Sequence, residues 1–227
     1  MPSADGDGGA QTALRTSAAR HSEDTEQRLL TAGLDVFGRK GYAAASVNEI
    51  VRQAGCSKGA FYCHFACKED FFFTILEQRL EGNMDMLKQR CPWVGDCGQW
   101  LKDTLLTLAS FTETDPSWRA LSVEFMAHGI RDGRVGEQIA RMHRRFRQFV
   151  TDELREGSAA RGQRMVAAPE DIAAAVTALL DGMIIHSSIE PQTLPVGEFI
   201  RRIEPLLAAW FDATQSNVSG TCRHRGR

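Results

Sequence analysis

Two short helical patterns separated by a glycine turn occupy residues 46–65, and they constrain the fold of this chain more than any other segment. Ser46 and Glu49 have capping-box spacing, which marks the start of a helix. The apolar residues of this helix recur at the helical period: Val47, Ile50, Val51 and Ala54. Gly55 tolerates the left-handed conformation that ends a helix, and two helices joined by so short a turn cross steeply.

The second helix, residues 57–65, is predicted to have one buried face and one outward face. Ser57 is placed to cap its N-terminus. Phe61 and Phe65 lie one turn apart and are expected to anchor the helix in a core. The opposite face is small, basic and aromatic, with Lys58, Gly59, Tyr62 and Cys63. Such a face suits contact with a groove of DNA.

A third helix is predicted before this pair, at residues 27–40, where Leu30, Leu34 and Phe37 repeat at helical spacing. With it, residues 25–76 closely resemble the N-terminal domain of the TetR family of transcriptional repressors. The matching residues are Gly41, Tyr42, Ala54, Gly55, Ser57, Lys58, Gly59, Phe61, Tyr62, His64, Phe65, Lys68 and Glu69. This match is specific and covers about a quarter of the chain.

The resemblance implies that residues 57–65 enter the major groove of a double-stranded DNA operator and that a two-fold dimer reads a near-palindromic site. The implied DNA-binding residues are Ser46, Ser57, Lys58, Gly59, Ala60, Tyr62, Cys63, His64 and Lys68. Lys58 would donate to guanine, whereas His64 and Lys68 would contact phosphates. The alternatives are that Tyr62 packs against the edge of the core and that His64 only caps its helix.

The rest of the chain shows helical periods and no strand period, so the fold class is predicted to be all-α with about nine helices. The further helices are expected near residues 71–89, 100–111, 116–128, 134–156, 169–188 and 196–211. Gly157 is expected to end the fourth of these, and Pro205 to kink or shorten the last.

Four segments follow from these patterns. Residues 1–23 are poor in large apolar side chains and are predicted to be a disordered arm. Residues 24–70 form the predicted helix-turn-helix DNA-binding domain, and residues 71–213 a helical ligand-binding and dimerisation domain. Residues 214–227 are predicted to be a flexible basic tail.

By resemblance, the larger domain binds a small organic effector that changes the separation of the two DNA-reading helices. The candidate pocket residues are Trp100, Phe111, Trp118, Phe125, Met126, His128 and Met142. Each of them could instead belong to the core, since aromatic residues at helical spacing usually pack.

The last two long helices are implied to form a four-helix interface in a homodimer. The helix at residues 169–188 is apolar nearly all the way round, which calls for cover on two sides. The candidate interface residues are Val176, Leu180, Met183, Ile203, Leu207 and Trp210. The alternative is that these residues form only the core of a single chain.

The net charge of −2 does not itself indicate nucleic-acid binding. A dimer needs only a few well-placed cations per half-site, so the motif outweighs the overall charge. We expect no membrane partner and a cytoplasmic location, because neither a signal peptide nor an apolar run of about 20 residues is evident. The six cysteines are then expected to be reduced thiols.

The cysteines and the motif content of the chain bear on the alternative functions. Cys67 stands at a helix start where the family usually has Ser or Asn, and Cys63 lies one turn earlier, so a thiol-sensing regulator is one alternative. Glu69 and Asp70 oppose thiolate formation there, and the cysteines could be space-fillers. A metal site is not expected, since Cys63, His64 and Cys67 are crowded. No enzyme motif or cofactor fingerprint is present, so an enzyme is not expected, whereas a protein-interaction module without DNA binding remains open.

Overall fold

The computed structural model describes residues 8–190, 192 and 195–211, without side chains for residues 8–21, 111–114 and 196. Within those ranges the chain forms nine α-helices and no strand, which confirms the all-α prediction. The helices are α1 (Gly8–Ala44), α2 (Val47–Ala54), α3 (Lys58–His64), α4 (Lys68–Arg90), α5 (Cys97–Thr114), α6 (Pro116–Arg131), α7 (Gly133–Arg161), α8 (Pro169–Ile189) and α9 (Val196–Ala208).

The first helix begins at Gly8, inside the segment that composition predicts to be a disordered arm. Ala13, Leu14, Ala18, Ala19 and Arg20 have high helix propensity, which favours this extension. Residues 1–7 and the predicted tail at 214–227 lie outside the described part of the chain. Near its other end α1 kinks at Gly41, whose φ of 78° and ψ of 165° are not helical.

A first hydrophobic core joins α1, α2 and α3 to the start of α4 and to α6. Phe37, Phe61, Phe71 and Phe72 are fully buried in it. The rings pack edge to face, with centroids 4.9 Å apart for Phe37 and Phe72 and 5.0 Å apart for Phe61 and Phe71. The start of α4 therefore fixes the helix-turn-helix unit on the rest of the protein.

A second core lies between α5, α7, α8 and α9 and takes in the end of α4. Trp100 belongs to this core, and Trp93 stacks on it with ring centroids 4.5 Å apart. The prediction that Gly157 ends its helix was wrong, because α7 continues to Arg161 and Gly162 takes the left-handed cap. Gly157 serves packing instead, since a Cβ there would lie 2.1 Å from the Trp93 ring.

The two C-terminal helices are α8, which is strongly apolar, and α9, which is shorter than predicted. The helix α8 packs against α6 and α7. It is the one helix in the described ranges whose length and composition would suffice to cross a membrane, a property that core helices of folded domains share. The helix α9 stops at Ala208, short of the predicted end, with Pro205 inside its last turn.

Candidate nucleic-acid interface and ligand cavity

Local capping sets the positions of α2 and α3. The Ser46 hydroxyl accepts from the Glu49 N–H, and the Glu49 carboxylate accepts from the Ser46 N–H, which confirms the predicted capping box. Hydrogen bonds from Lys40 and then Ser46 hold the pKa of Glu49 below its ordinary value. Gly55 adopts φ 63° at the turn, and the Ser57 hydroxyl accepts from the backbone N–H of Ala60 at 3.0 Å.

The outward face of α3 is exposed as predicted. Lys58, Gly59, Tyr62 and Cys63 are all exposed, with Tyr62 at 52%. Phe61 and Phe65 lie beneath them and are buried. The Tyr62 ring meets the edge of Phe61 at a centroid distance of 5.3 Å. Tyr62 therefore rests on the core edge, as the alternative proposed, and still presents half of its surface outward.

Arg28 holds the turn between α2 and α3 against α1. Its Nη2 donates to the carbonyl oxygens of Ala54 at 2.6 Å and Gly55 at 3.0 Å. These carbonyls end α2, where a cation is also favoured by the helix dipole. Sequence analysis missed Arg28, since nothing in its local pattern indicates so distant a partner.

Lys68 and His64, which are predicted to contact phosphates, also make contacts inside the domain. The Lys68 Nζ donates to the carbonyl oxygens of Tyr42 at 2.9 Å and Ala45 at 3.1 Å. It also lies 4.4 Å from the centroid of the Tyr42 ring. The His64 Nδ1 lies 3.4 Å from Glu26 Oε2, and the side chain is only 14% exposed. Both residues position α3 and α4 against α1.

The unpaired cations near the turn lie elsewhere. Lys58 and Arg52 are exposed and have no carboxylate partner among the described residues. By contrast, Arg39 pairs with Asp35, and Lys40 pairs with Glu49. Lys58 and Arg52 are thus available to an anionic partner on this surface.

A cavity of about 160 Å³ lies between α4, α6, α7 and α8. Four of the predicted pocket residues line it: Trp118, Phe125, Met126 and Met142. The lining residues that sequence analysis missed are Leu76, Ser122, Ile139, His143, Asp181 and Ile184. At one end His143 Nε2 lies 3.6 Å from Asp181 Oδ2. The two residues sit on different helices, so no local pattern could pair them.

The other pocket candidates lie elsewhere. Trp100 is buried against Trp93 in the second core, so the core alternative is correct for it. His128 packs 6.0 Å from the ring of Tyr42 and does not line the cavity. Phe111 lies among the side chains outside the described part.

Burial governs the electrostatics of the polar end of the cavity. Desolvation raises the pKa of Asp181, while the nearby His143 and Arg147 act to lower it. The Ser122 hydroxyl, also in the lining, donates to the Trp118 carbonyl oxygen at 2.9 Å. The cavity is therefore apolar on most sides, with one partly desolvated carboxylate.

The helix α6 connects this cavity to the helix-turn-helix unit. Its Glu124 carboxylate accepts from the backbone N–H groups of Tyr42 and Ala43, each at 2.9 Å. These two residues follow the kink at Gly41. At its start, α6 is tied to α4 by an ion pair of 3.1 Å between Arg79 and Asp115.

The candidate interface residues divide into two groups. Val176, Met183 and Leu207 are buried in the second core, so their assignment to a surface interface is corrected. Leu180, Ile203 and Trp210 are half-buried against the same core. Among the described side chains of α8 and α9, the large apolar ones that are exposed are Ile185, Ile189 and Leu206.

The cysteines are free thiols in the described ranges. Cys63 and Cys67 are exposed, Cys56 is half-buried, and Cys91 and Cys97 are buried. The Cys67 sulfur caps α4 by accepting from the Asp70 N–H at 3.4 Å. Among the described residues, no group of three side chains is placed to hold a metal ion. Cys222 lies outside those residues.

A helix-turn-helix unit with an exposed reading face, joined to a helical domain that contains a cavity, defines a one-component transcriptional regulator. Residues 29–75 match the family model for bacterial regulatory proteins of the tetR family. Residues 98–212 match the model for the C-terminal domain of BetI-type transcriptional repressors. The chain belongs to the TetR family of transcriptional regulators and is a DNA-binding regulator.

Relatives and solved structures agree with this assignment. The HTH-type transcriptional regulator UidR of Escherichia coli K12 is 26% identical over 135 residues, which are 60% of this chain and 67% of UidR. The structure of Salmonella enterica GusR has a TM-score of 0.65 at 21% identity and covers 81% of this chain and 94% of its own. Bacillus subtilis FadR, solved with stearoyl-CoA, has a TM-score of 0.67 at 15% identity, and the match covers 81% of this chain and 98% of the FadR chain.

Proposed function

We propose that this regulator represses transcription by binding a near-palindromic operator as a homodimer, and that a small organic effector releases it. The observation that carries the proposal is the outward face of α3, where Lys58, Gly59 and Tyr62 are exposed above the buried Phe61. No enzymatic step is part of the proposal. We expect the protein to act in the cytoplasm, where its DNA is.

Within α3, Lys58 is proposed to donate to guanine O6 or N7 in the major groove. An added Cβ at Gly59 would meet only the Ser57 hydroxyl, at 3.7 Å, so the backbone can approach the DNA closely. Ala60 and Tyr62 would lie beside the bases. Arg52, exposed on α2 near the turn, takes the phosphate contact first expected of Lys68 and His64.

The dimer is proposed to form through the outer faces of α8 and α9. Ile185, Ile189 and Leu206 are exposed apolar side chains on these helices. On α8, Gly182 has no atom within 4 Å of an added Cβ, which leaves room for a partner helix. Burial of such a face is favoured by the hydrophobic effect. A two-fold pair would present two α3 helices to half-sites about 34 to 36 Å apart, or somewhat more.

Release is proposed to pass through α6. A ligand in the cavity would contact Ser122, Phe125 and Met126, which flank Glu124 on this helix. Because Glu124 holds the backbone beyond the kink at Gly41, a shift of α6 would move α1 relative to α4. An effector that binds the shifted arrangement more tightly than the DNA-bound one would lower operator affinity.

Selection from sheared genomic DNA at moderate salt tests this function. Bound fragments should share a near-palindrome, and Lys58→Ala should lose that enrichment. Lys88→Ala removes an exposed lysine at the far end of α4 and should retain it. Salt-sensitive binding with no common sequence, or no binding at all, would favour an interaction module.

A thiol-sensing variant of this function has one observation in its favour, the exposure of Cys63 on the reading face of α3. Oxidation there would place a polar group against the DNA. Peroxide treatment should then lower operator affinity in the wild type and not in Cys63→Ser. Unchanged affinity after the thiols are shown to have reacted would exclude this variant.

A further inference from the structure

We infer that the effector, if the cavity is the regulatory site proposed above, is a small molecule with an apolar body and a protonatable amine that pairs with Asp181. Only the regulatory role of this ligand rests on the proposed function. The binding chemistry itself follows from the residues that line the cavity between α4, α6, α7 and α8.

The walls select an apolar body of limited size. The volume of about 160 Å³ is below the range of roughly 300 to 1,000 Å³ typical of sites for drug-sized ligands. Apolar side chains form most of the lining: Leu76, Phe125, Met126, Ile139, Met142 and Ile184. The ring of Phe125 can also lie against a cation, and this interaction strengthens when the cation is desolvated. The Trp118 ring already carries the Arg79 guanidinium on one face, 4.2 Å from its centroid.

The polar groups of the lining favour a hydrogen-bond donor on the ligand over a hydrogen-bond acceptor. Asp181 and His143 are its titratable residues, and neither Lys nor Arg is among the lining residues. The Ser122 proton is already donated to the Trp118 carbonyl, which leaves the hydroxyl oxygen as an acceptor. A carboxylate or phosphate on the ligand would face Asp181, and His143, the lining side chain that could balance it, already lies 3.6 Å from that carboxylate.

Asp181 itself has unused acceptor capacity. Its distance of 3.6 Å to His143 Nε2 is longer than a hydrogen bond, and the side chain is only 31% exposed. Burial raises the pKa of Asp181, whereas His143 and Arg147 on α7 oppose the rise. Arg147 does not line the cavity. A ligand ammonium would give the carboxylate the charge-assisted hydrogen bond that it lacks.

The same features argue against an acyl-CoA, the class of ligand in the structure of Bacillus subtilis FadR. A long acyl chain exceeds this cavity, and the phosphates of coenzyme A would meet no lysine or arginine in its lining. The shared fold therefore does not carry the ligand of FadR over to this chain.

Calorimetric titration of the full-length protein without DNA tests the inference with three probes of similar size: benzylamine, benzyl alcohol and benzoate. At neutral pH benzylamine should bind at least about tenfold more tightly than benzyl alcohol, and benzoate should not bind. Asp181→Asn should remove the preference for the amine and leave benzyl alcohol unchanged. Asp171→Asn, which alters an exposed carboxyl on the same helix, should keep the preference.

Ile184→Trp should fill the cavity and abolish binding of both neutral and cationic probes, with circular dichroism confirming the fold. Equal binding of benzyl alcohol or benzoate, an unchanged preference in Asp181→Asn, or no binding of any probe would overturn the inference. Amine selectivity that depends on Asp181 in a protein without operator binding would refute the proposed function alone. Operator binding without amine selectivity would refute this inference alone.

Discussion

The carboxylate of Glu124 on α6 accepts a hydrogen bond of 2.9 Å from the backbone N–H of Tyr42, at the far end of α1. Its other oxygen accepts from Ala43 at the same distance. The backbone N–H groups after the kink at Gly41 would otherwise lack acceptors, as do those at any helix start. One side chain of α6 therefore holds the backbone between the kink and α2.

Replacing Glu124 with alanine should lower the free energy of unfolding and weaken the effect of ligand on DNA binding. The partly buried N–H of Tyr42 loses its acceptor, which costs about 1 to 3 kcal/mol, whereas the exposed N–H of Ala43 can turn to water. Urea unfolding and operator titration with and without effector measure the two effects. Glu137→Ala, which removes an exposed partner of Arg144, should leave both unchanged. An unaltered ligand response in Glu124→Ala would contradict the transmission route through α6.

Gly41→Ala should destabilise the same junction. Its φ of 78° and ψ of 165° belong to a region that is nearly exclusive to glycine, so alanine costs about 1 to 3 kcal/mol. The new Cβ would also lie 2.8 Å from Glu124 Oε2. Gly82→Ala on α4 meets no atom within 4 Å and should stabilise the protein slightly. Equal unfolding midpoints for the two variants would show that the kink is not required.

Lys58 and Lys68 should differ in what their loss affects. Lys58→Ala should keep the unfolding midpoint and lose about tenfold or more of the preference for operator over random DNA. Lys68→Met should lower the midpoint, because the Tyr42 and Ala45 carbonyls lose their donor. Thermal unfolding and anisotropy titrations at several salt concentrations separate the two. A fully stable Lys68→Met with a salt slope reduced by about one unit would restore the phosphate role.

Dimerisation should depend on the exposed apolar side chains of α8 and α9. The double variant Ile185→Glu with Leu206→Glu should be monomeric by light scattering, since charges cannot be buried there unpaired. Ile130→Glu changes the most exposed isoleucine, at the end of α6, and should remain dimeric. If the double variant is still dimeric, the interface lies on another surface of the protein.

Local signals predicted the helices well. Capping residues and apolar periods indicated α2 and α3 closely, because the Ser46 and Ser57 caps and the Phe61 anchor act within one or two turns. The prediction that Gly157 ends its helix failed because the role of this glycine is to let the distant Trp93 ring approach α7. The exposed face of α3 could likewise be predicted from the resemblance, because it depends only on the spacing of residues within that helix.

Long-range contacts decided the rest of the site. Lys68 and His64 resemble phosphate ligands in sequence, but their partners lie on α1 and on the segment that follows it. The cavity is lined by side chains from four helices, so His143 and Asp181 meet only after folding. Glu124 carried no motif, and its two backbone donors lie far away in the chain.

The most direct test of the central claim is a titration of the protein against a duplex that carries the selected palindrome and against the same duplex with one half-site scrambled. We expect two chains per intact duplex and a loss of at least about tenfold in affinity on scrambling. Lys58→Ala should bind both duplexes alike. Equal affinity of the wild type for the two duplexes would contradict sequence reading by α3.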